Sequence, residues 1–212
     1  MMKINYQLEL DKIIKENQKE GKVPTLLLHS CCAPCSTYVL EYLSQYFKIY
    51  LYYYNPNIYP ISEYHFREKE QEDLINKLEV INKIEFVKAR FEPMEYYGAV
   101  KGYEKEKEGG KRCEICFELR LREAAEKAKE LGLDYFTTTL SISPHKNSQT
   151  LNQIGHMLEE TSGVKYLYSD FKKKNGFKRS VELTSQFDMY RQDYCGCIFS
   201  LNESKERNQG IN

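Results

Sequence analysis

TLLLHSCCAPCSTYVLEYL, residues 25–43, reads as a buried strand, a cysteine-dense turn and the start of a helix. Thr25–His29 is an apolar run of strand length, and Cys32-Ala-Pro-Cys35 opens the helical stretch that follows. Cys31, Cys32 and Cys35 therefore fall directly after a strand, where open parallel sheets bind their ligands.

Working outward, apolar runs recur at Phe47–Tyr54, Ile84–Val87, Tyr135–Leu140 and Tyr166–Tyr168. Helical patterns lie between them. Ser62 can cap one running to about Lys83; Cys116–Leu131 repeats apolar positions and stops at Gly132; a third spans Asn147 to just before Gly163. Alternating strands and helices predict an α/β fold with a mostly parallel sheet flanked by helices. Residues 1–22 read as an N-terminal helical extension and 23–212 as a single α/β metal-binding catalytic domain. Gly98–Arg112, charged and glycine-rich, reads as a mobile loop inserted before a helix. NPNIYP, residues 55–60, follows the second strand and SISPHKN, 141–147, the fourth, so three unusual loops converge on one sheet edge.

The chain has 212 residues with 31 basic against 31 acidic side chains, and a net charge of zero gives no global field to attract nucleic acid. One local patch stands out. Phe171–Arg179 holds Lys172, Lys173, Lys174, Lys178 and Arg179 interleaved with Phe171 and Phe177, a combination suited to phosphates and unstacked bases, or to a solvated loop with core-facing phenylalanines. No run approaches the roughly 20 apolar residues of a membrane span, and the N-terminus lacks the apolar core of a secretory signal. A cytoplasmic location is expected, in which seven cysteines point to metal or redox chemistry rather than a disulfide scaffold.

All seven are clustered: Cys31, Cys32 and Cys35, then Cys113-Glu-Ile-Cys116, then Cys195-Gly-Cys197. The C-x-x-C spacing lets two thiolates reach one metal, and Gly196 lets the backbone wrap closely around a metal centre. One tetrahedral zinc would leave three thiolates unused; six or seven converging cysteines have room for more than one zinc, or for a four-cysteine iron–sulfur cluster with two or three thiols left for a second metal. A dithiol at Cys32 and Cys35 is a further reading, and leaves Cys31 and the two distant pairs without a role. Asp193 reads as a metal ligand, proton donor or turn residue, His145 as catalytic, phosphate-binding or simply exposed, and His29 as a hydrogen-bonded core residue.

The joint set LLLHSCCAPCSTYVLEYL (26–43), NPNIYPISEYHFR (55–67), CEICFELRL (113–121), TTTLSISPHKN (137–147) and DFKKKNGFKRSVELTSQFDMYRQDYCGC (170–197) closely resembles the QueH family of epoxyqueuosine reductases over nearly the whole chain from residue 23. The resemblance implies an adenine nucleotide α-hydrolase-like (HUP, Rossmann-like) sheet. It also implies reduction of the epoxide of epoxyqueuosine at the tRNA wobble position to the cyclopentene, the last step of queuosine synthesis, without cobalamin. The expected cofactors are a [4Fe–4S] cluster and an adjacent mononuclear iron. The matching ligands are Cys31, Cys32, Cys113, Cys116, Cys195 and Cys197, with Cys35 a seventh thiol and a carboxylate from Asp193 as a candidate.

Converting an epoxide to an alkene takes two electrons and two protons and releases water, so an acid is needed beside the metal; Asp193, Tyr194 and His145 are the candidates. An anticodon base splayed into the crevice needs its phosphates held. The basic patch supplies the first candidates, followed by Lys111, Arg112 and Lys146. An electron donor of unknown identity is a further expected partner. The rival readings are a zinc-stabilised RNA-binding module without redox activity, a thioredoxin-like dithiol oxidoreductase, and an ATP-using tRNA-modifying enzyme. The last is disfavoured because the first loop carries cysteines in place of a glycine-rich phosphate cradle.

Overall fold

A computed structural model describes residues 4–210. Five strands, β1 (Thr25–His29), β2 (Lys48–Tyr52), β3 (Ile84–Val87), β4 (Tyr135–Thr138) and β5 (Lys165–Tyr166), form one all-parallel sheet in the order β3-β2-β1-β4-β5. The helices are α1 (Tyr6–Lys19), α2 (Ala33–Leu43), α3 (Ile61–Lys77), α4 (Pro93–Ala99), α5 (Lys111–Glu130), α6 (Ser148–Ser162), α7 (Gly176–Gln186) and α8 (Ile198–Asn208).

Side chains alternate across a strand, and both faces of β1 are apolar. Leu26 and Leu28 join Leu10 and Ile14 of α1, Val39, Leu40 and Leu43 of α2 and Leu74 of α3 in one core. Leu27 joins Leu121, Ala124 and Ala125 of α5 and Leu151, Ile154 and Leu158 of α6 in the other. Each fully buried leucine contributes about 1.5–3 kcal/mol of transfer free energy, so the central strand locks the two helical layers to one sheet.

The connection after β1 enters α2 on one face, whereas the connection after β4 enters α6 on the other. Divergence of neighbouring crossovers opens a crevice at the carboxyl ends of β1 and β4. The two loops meet there: the Cys31 N–H donates to Thr139 Oγ1 at 3.2 Å, and the Thr139 hydroxyl donates to Cys31 Sγ at 3.5 Å.

The sequence reading places the strands and α6 correctly, with Asn147 capping α6 through Gln149 N at 2.9 Å and Gly163 ending it at φ +78°. Several boundaries differ: β2 spans Lys48–Tyr52 within the apolar run 47–54, and α5 begins at Lys111 rather than Cys116. The β4 strand ends at Thr138, and Thr139–Ile142 form a 3₁₀ turn that Thr138 caps. Rather than reaching Tyr168, β5 covers only Lys165–Tyr166. The third helix begins at Ile61 behind Pro60, with no side-chain cap from Ser62, and stops at Lys77. Gly98–Arg112 is shortened from both sides by α4 and α5 and tied down where Arg112 Nη1 takes the Glu104 and Glu106 carbonyls. The basic stretch is likewise a turn that runs into α7, not an extended loop.

Candidate metal centre

Cys32 is the N-cap residue of α2, Cys113 lies in the first turn of α5, and Cys197 is the N-cap residue of α8. Three helix N-termini thus deliver cysteines, and the partial positive charge of each favours a bound anion. Ser200 N donates to Cys197 Sγ at 3.4 Å, and Gly109 N donates to Cys113 Sγ at 3.3 Å.

The sulfurs of Cys31, Cys32 and Cys35 lie within 4.8 Å of one another, with Cys31 and Cys32 3.8 Å apart. Hydrogen bonds from Cys32 and Cys35 hold Cys31 well below the usual thiol range, while Cys32 is pushed up to about 12 by its bond to Cys31 and by burial, and Cys35 is pushed up by the same two neighbours and by burial. The triad lines a cavity of about 760 Å³ with Ser143, His145, Lys146, Asp193, Tyr194 and Cys195. Directly beside it, Cys113, Cys116, Cys195 and Cys197 line a second cavity of about 10 Å³. Cys195 lines both, so the seven cysteines of three distant clusters line two adjoining cavities.

Three arginines, Arg67, Arg112 and Arg120, are each only 1% exposed at this region. Arg67 Nε bonds Glu63 at 2.8 Å, Nη1 bonds the Cys195 carbonyl at 3.3 Å, and its guanidinium lies 5.1 Å from the Tyr194 ring centroid. Arg112 Nη2 bonds Glu203 at 3.0 Å and the guanidinium covers the Phe199 ring. Arg120 Nε bonds the Cys116 carbonyl at 3.2 Å and Nη1 bonds Asn55 Oδ1 at 3.3 Å. Arg67 Nη2, Arg112 Nε and Arg120 Nη2 are buried without a hydrogen-bond partner. Buried donors without partners are rare because each costs about 1–3 kcal/mol, so Arg112 and Arg120, which line the small cavity with the cysteines, fit an anionic group held there.

The other predicted residues divide. His145 is exposed at the cavity rim. Tyr194 lines the cavity, gives its O–H to the Tyr59 carbonyl at 3.3 Å, and has a pKa raised by burial. Asp193 lines it too, but its Oδ2 takes hydrogen bonds from Ser204 at 2.6 Å and Asn208 at 3.1 Å, which hold the carboxyl below its usual range. Lys146 faces the thiols of Cys195, Cys31 and Cys35, which raise its pKa against the opposing effect of burial. His29 is buried between Thr138 Oγ1 at 2.9 Å and the Tyr54 carbonyl at 3.0 Å, a core role.

Among the basic candidates, Lys172 is turned inward onto Ser141 O, Lys146 O and Asp170; Lys174 pairs with Asp11, Arg179 with Glu41 and Lys111 with Glu114. Arg112 is buried. Lys173 and Lys178 are exposed and form no ion pair with the described residues. Sequence reasoning missed Arg67 and Arg120. For Arg120 a signal exists: Cys113, Cys116 and Arg120 stand at i, i+3 and i+7 and share one face of α5. Arg67, amid the charged SEYHFREKE, carries no such mark.

A Rossmann-like α/β sheet that presents cysteines and buried arginines at its switch point, where a nucleotide-binding relative presents a glycine loop, defines a thiolate-centred member of that fold class. A family model described as epoxyqueuosine reductase QueH matches residues 26–203. The chain belongs to the QueH family. It is 48% identical to the epoxyqueuosine reductase QueH of Streptococcus pyogenes over 93% of this chain and 78% of the relative. The Staphylococcus epidermidis protein of the same name is 46% identical over 93% and 85%, and that of Thermotoga maritima 36% identical over 88% and 95%.

Proposed function

We propose that this protein reduces the epoxide of epoxyqueuosine in tRNA to the cyclopentene, the activity for which its relatives are named. The observation that carries this reading is the convergence of all seven cysteines on two adjoining cavities, with the buried Arg112 and Arg120 in the wall and Arg67 on the Cys195 carbonyl. The donor set fits a [4Fe–4S] cluster and an adjacent iron, with Cys113, Cys116, Cys195 and Cys197 lining one cavity and the sulfurs of Cys31, Cys32 and Cys35 within 4.8 Å of one another in the next. When bound, these iron centres supply electrons and a Lewis acid for the epoxide oxygen.

The chain's own groups do the rest. Two electrons and two protons convert the epoxide to an alkene and water. Tyr194, whose phenol lines the cavity, is the candidate proton source, since the Asp193 carboxylate, which also lines it, is engaged by Ser204 and Asn208. Lys146 holds a permanent ammonium inside the cavity, where it stabilises negative charge developing on the departing oxygen. The cavity of about 760 Å³ accommodates one extruded nucleoside base with its cyclopentane substituent. Lys173 and Lys178 are the exposed cations of the basic patch that remain for phosphates.

The dithiol reading is disfavoured by geometry: Cys32 is 1% exposed, and a Cys32–Cys35 dithiol leaves Cys31 and the two other cysteine pairs at the same cavities without a role. Anaerobic incubation of reduced protein with tRNA carrying epoxyqueuosine, followed by nucleoside mass analysis, tests the proposal. Loss of one oxygen from the modified base is the expected result; unchanged nucleoside with iron-loaded, reduced protein overturns it.

A further inference from the structure

Of the three buried arginines, two are neutralised by carboxylates. Arg67 pairs with Glu63 and Arg112 with Glu203. Among the described residues Arg120 has no carboxylate partner, although it is 1% exposed. Its neutral contacts, the Cys116 carbonyl and Asn55 Oδ1, satisfy Nε and Nη1 and leave Nη2 without a partner. A buried, unpaired guanidinium is strongly unfavourable unless an anion lies near it. The groups at hand are thiols: Arg120 lines the small cavity with Cys113, Cys116, Cys195 and Cys197.

We infer that Arg120 is the counter-cation of the metal centre, a positioning residue that donates from the inner wall of the fold to the anionic edge of the bound group and sets how readily that group accepts an electron. The inference rests on the proposed iron-containing centre. Support comes from position: Arg120 lines the small cavity with four of the cysteines, and Cys195 of that set also lines the larger cavity with the triad. The arginine's mount is rigid. Asn55 accepts from Arg120 Nη1 and donates through Nδ2 to the Ser30 carbonyl at 2.8 Å, which ties the guanidinium to the turn that carries Cys31. A fixed positive charge beside an anionic redox group stabilises the reduced, more negative state, and thus raises its potential.

The test compares wild type, Arg120→Gln and Arg120→Lys, each reconstituted anaerobically with iron and sulfide. Iron per chain, the thermal unfolding midpoint and a redox titration followed by visible absorbance are read for each. Iron-loaded Arg120→Gln is expected to show a lower midpoint potential, with the oxidised-to-reduced ratio at a given poise raised about tenfold, equivalent to 59 mV for one electron. Arg120→Lys, which keeps the charge, should fall between the two. Loss of iron from a folded Arg120→Gln that Arg120→Lys restores also supports the role. A loaded Arg120→Gln with the wild-type potential overturns it, as do equal iron losses in both variants. Where Arg120→Gln does not fold, Arg120→Lys decides: a folded lysine variant that takes up iron supports the role, and one without iron overturns it. Wild-type protein that takes up no iron overturns the metal-centre reading and this inference together, a result distinct from an unchanged potential.

Discussion

Arg67 donates through Nη1 to the Cys195 carbonyl at 3.3 Å, and a Cβ on Gly196 would lie 3.1 Å from that same nitrogen. The glycine between Cys195 and Cys197 is therefore needed where the backbone closes over a buried guanidinium of α3. Ile58 crowds the same point at 3.2 Å, and φ of +124° is a conformation that side chains rarely adopt.

Gly196→Ala should accordingly destabilise the fold by about 1–3 kcal/mol, with strain and crowding acting together. Anaerobic urea unfolding of the two proteins measures this. Equal unfolding midpoints would show that the loop relaxes without consequence.

Cys35 shares the triad with Cys31 and Cys32, so Cys35→Ser should lower the metal content of a folded protein and cost at least about tenfold in epoxide reduction. Iron analysis beside circular dichroism separates this from misfolding. If iron and activity both stayed at wild-type levels, Cys35 would have no part in the centre.

Lys173→Glu and Lys178→Glu remove exposed cations that have no partner among the described residues. Each should weaken tRNA binding without affecting melting, and should reduce the slope of log affinity against log salt by about one. Binding titrations at several salt concentrations check this. Lys172→Glu should instead lower thermal stability, because its ammonium is anchored on Ser141 O and Lys146 O.

Asp11 of α1 pairs with Lys174 at 2.8 Å, which ties the N-terminal helix to the turn before α7. Burial pushes the Asp11 carboxyl up, but the bonds from Lys174 and Gln7 outweigh it and the net pKa is lowered. A lowered folded-state pKa adds stability above the ordinary carboxylate range, which is lost as pH falls through the folded value. Asp11→Asn should therefore reduce stability at pH 7, and the difference should shrink as pH falls below the ordinary carboxylate range through the lowered folded-state value. Melting curves across that range give the comparison.

The sheet was legible because Leu26, Leu27 and Leu28 are buried on both faces and turn residues punctuate the chain. Boundaries slipped where local apolar pattern and hydrogen bonding part: Tyr166-Leu-Tyr168 looks like strand throughout, yet β5 pairs only through Tyr166 and Leu167 then gives its N–H to Phe136 O. The cysteines announced themselves by density. Arg67 and Arg120 did not, because a surface arginine and a buried one look alike until the fold removes the water around them. Charge alone does not separate Lys146, which lines the larger cavity, from Lys172, whose ammonium the fold turns onto backbone carbonyls.

The central claim is that the converging cysteines hold iron for reduction of a tRNA base. Metal analysis of protein purified anaerobically, with its visible spectrum, tests it most directly. A brown protein with about five iron atoms per chain is predicted, four in a cluster and one beside it. A colourless protein carrying stoichiometric zinc and no iron would contradict the account.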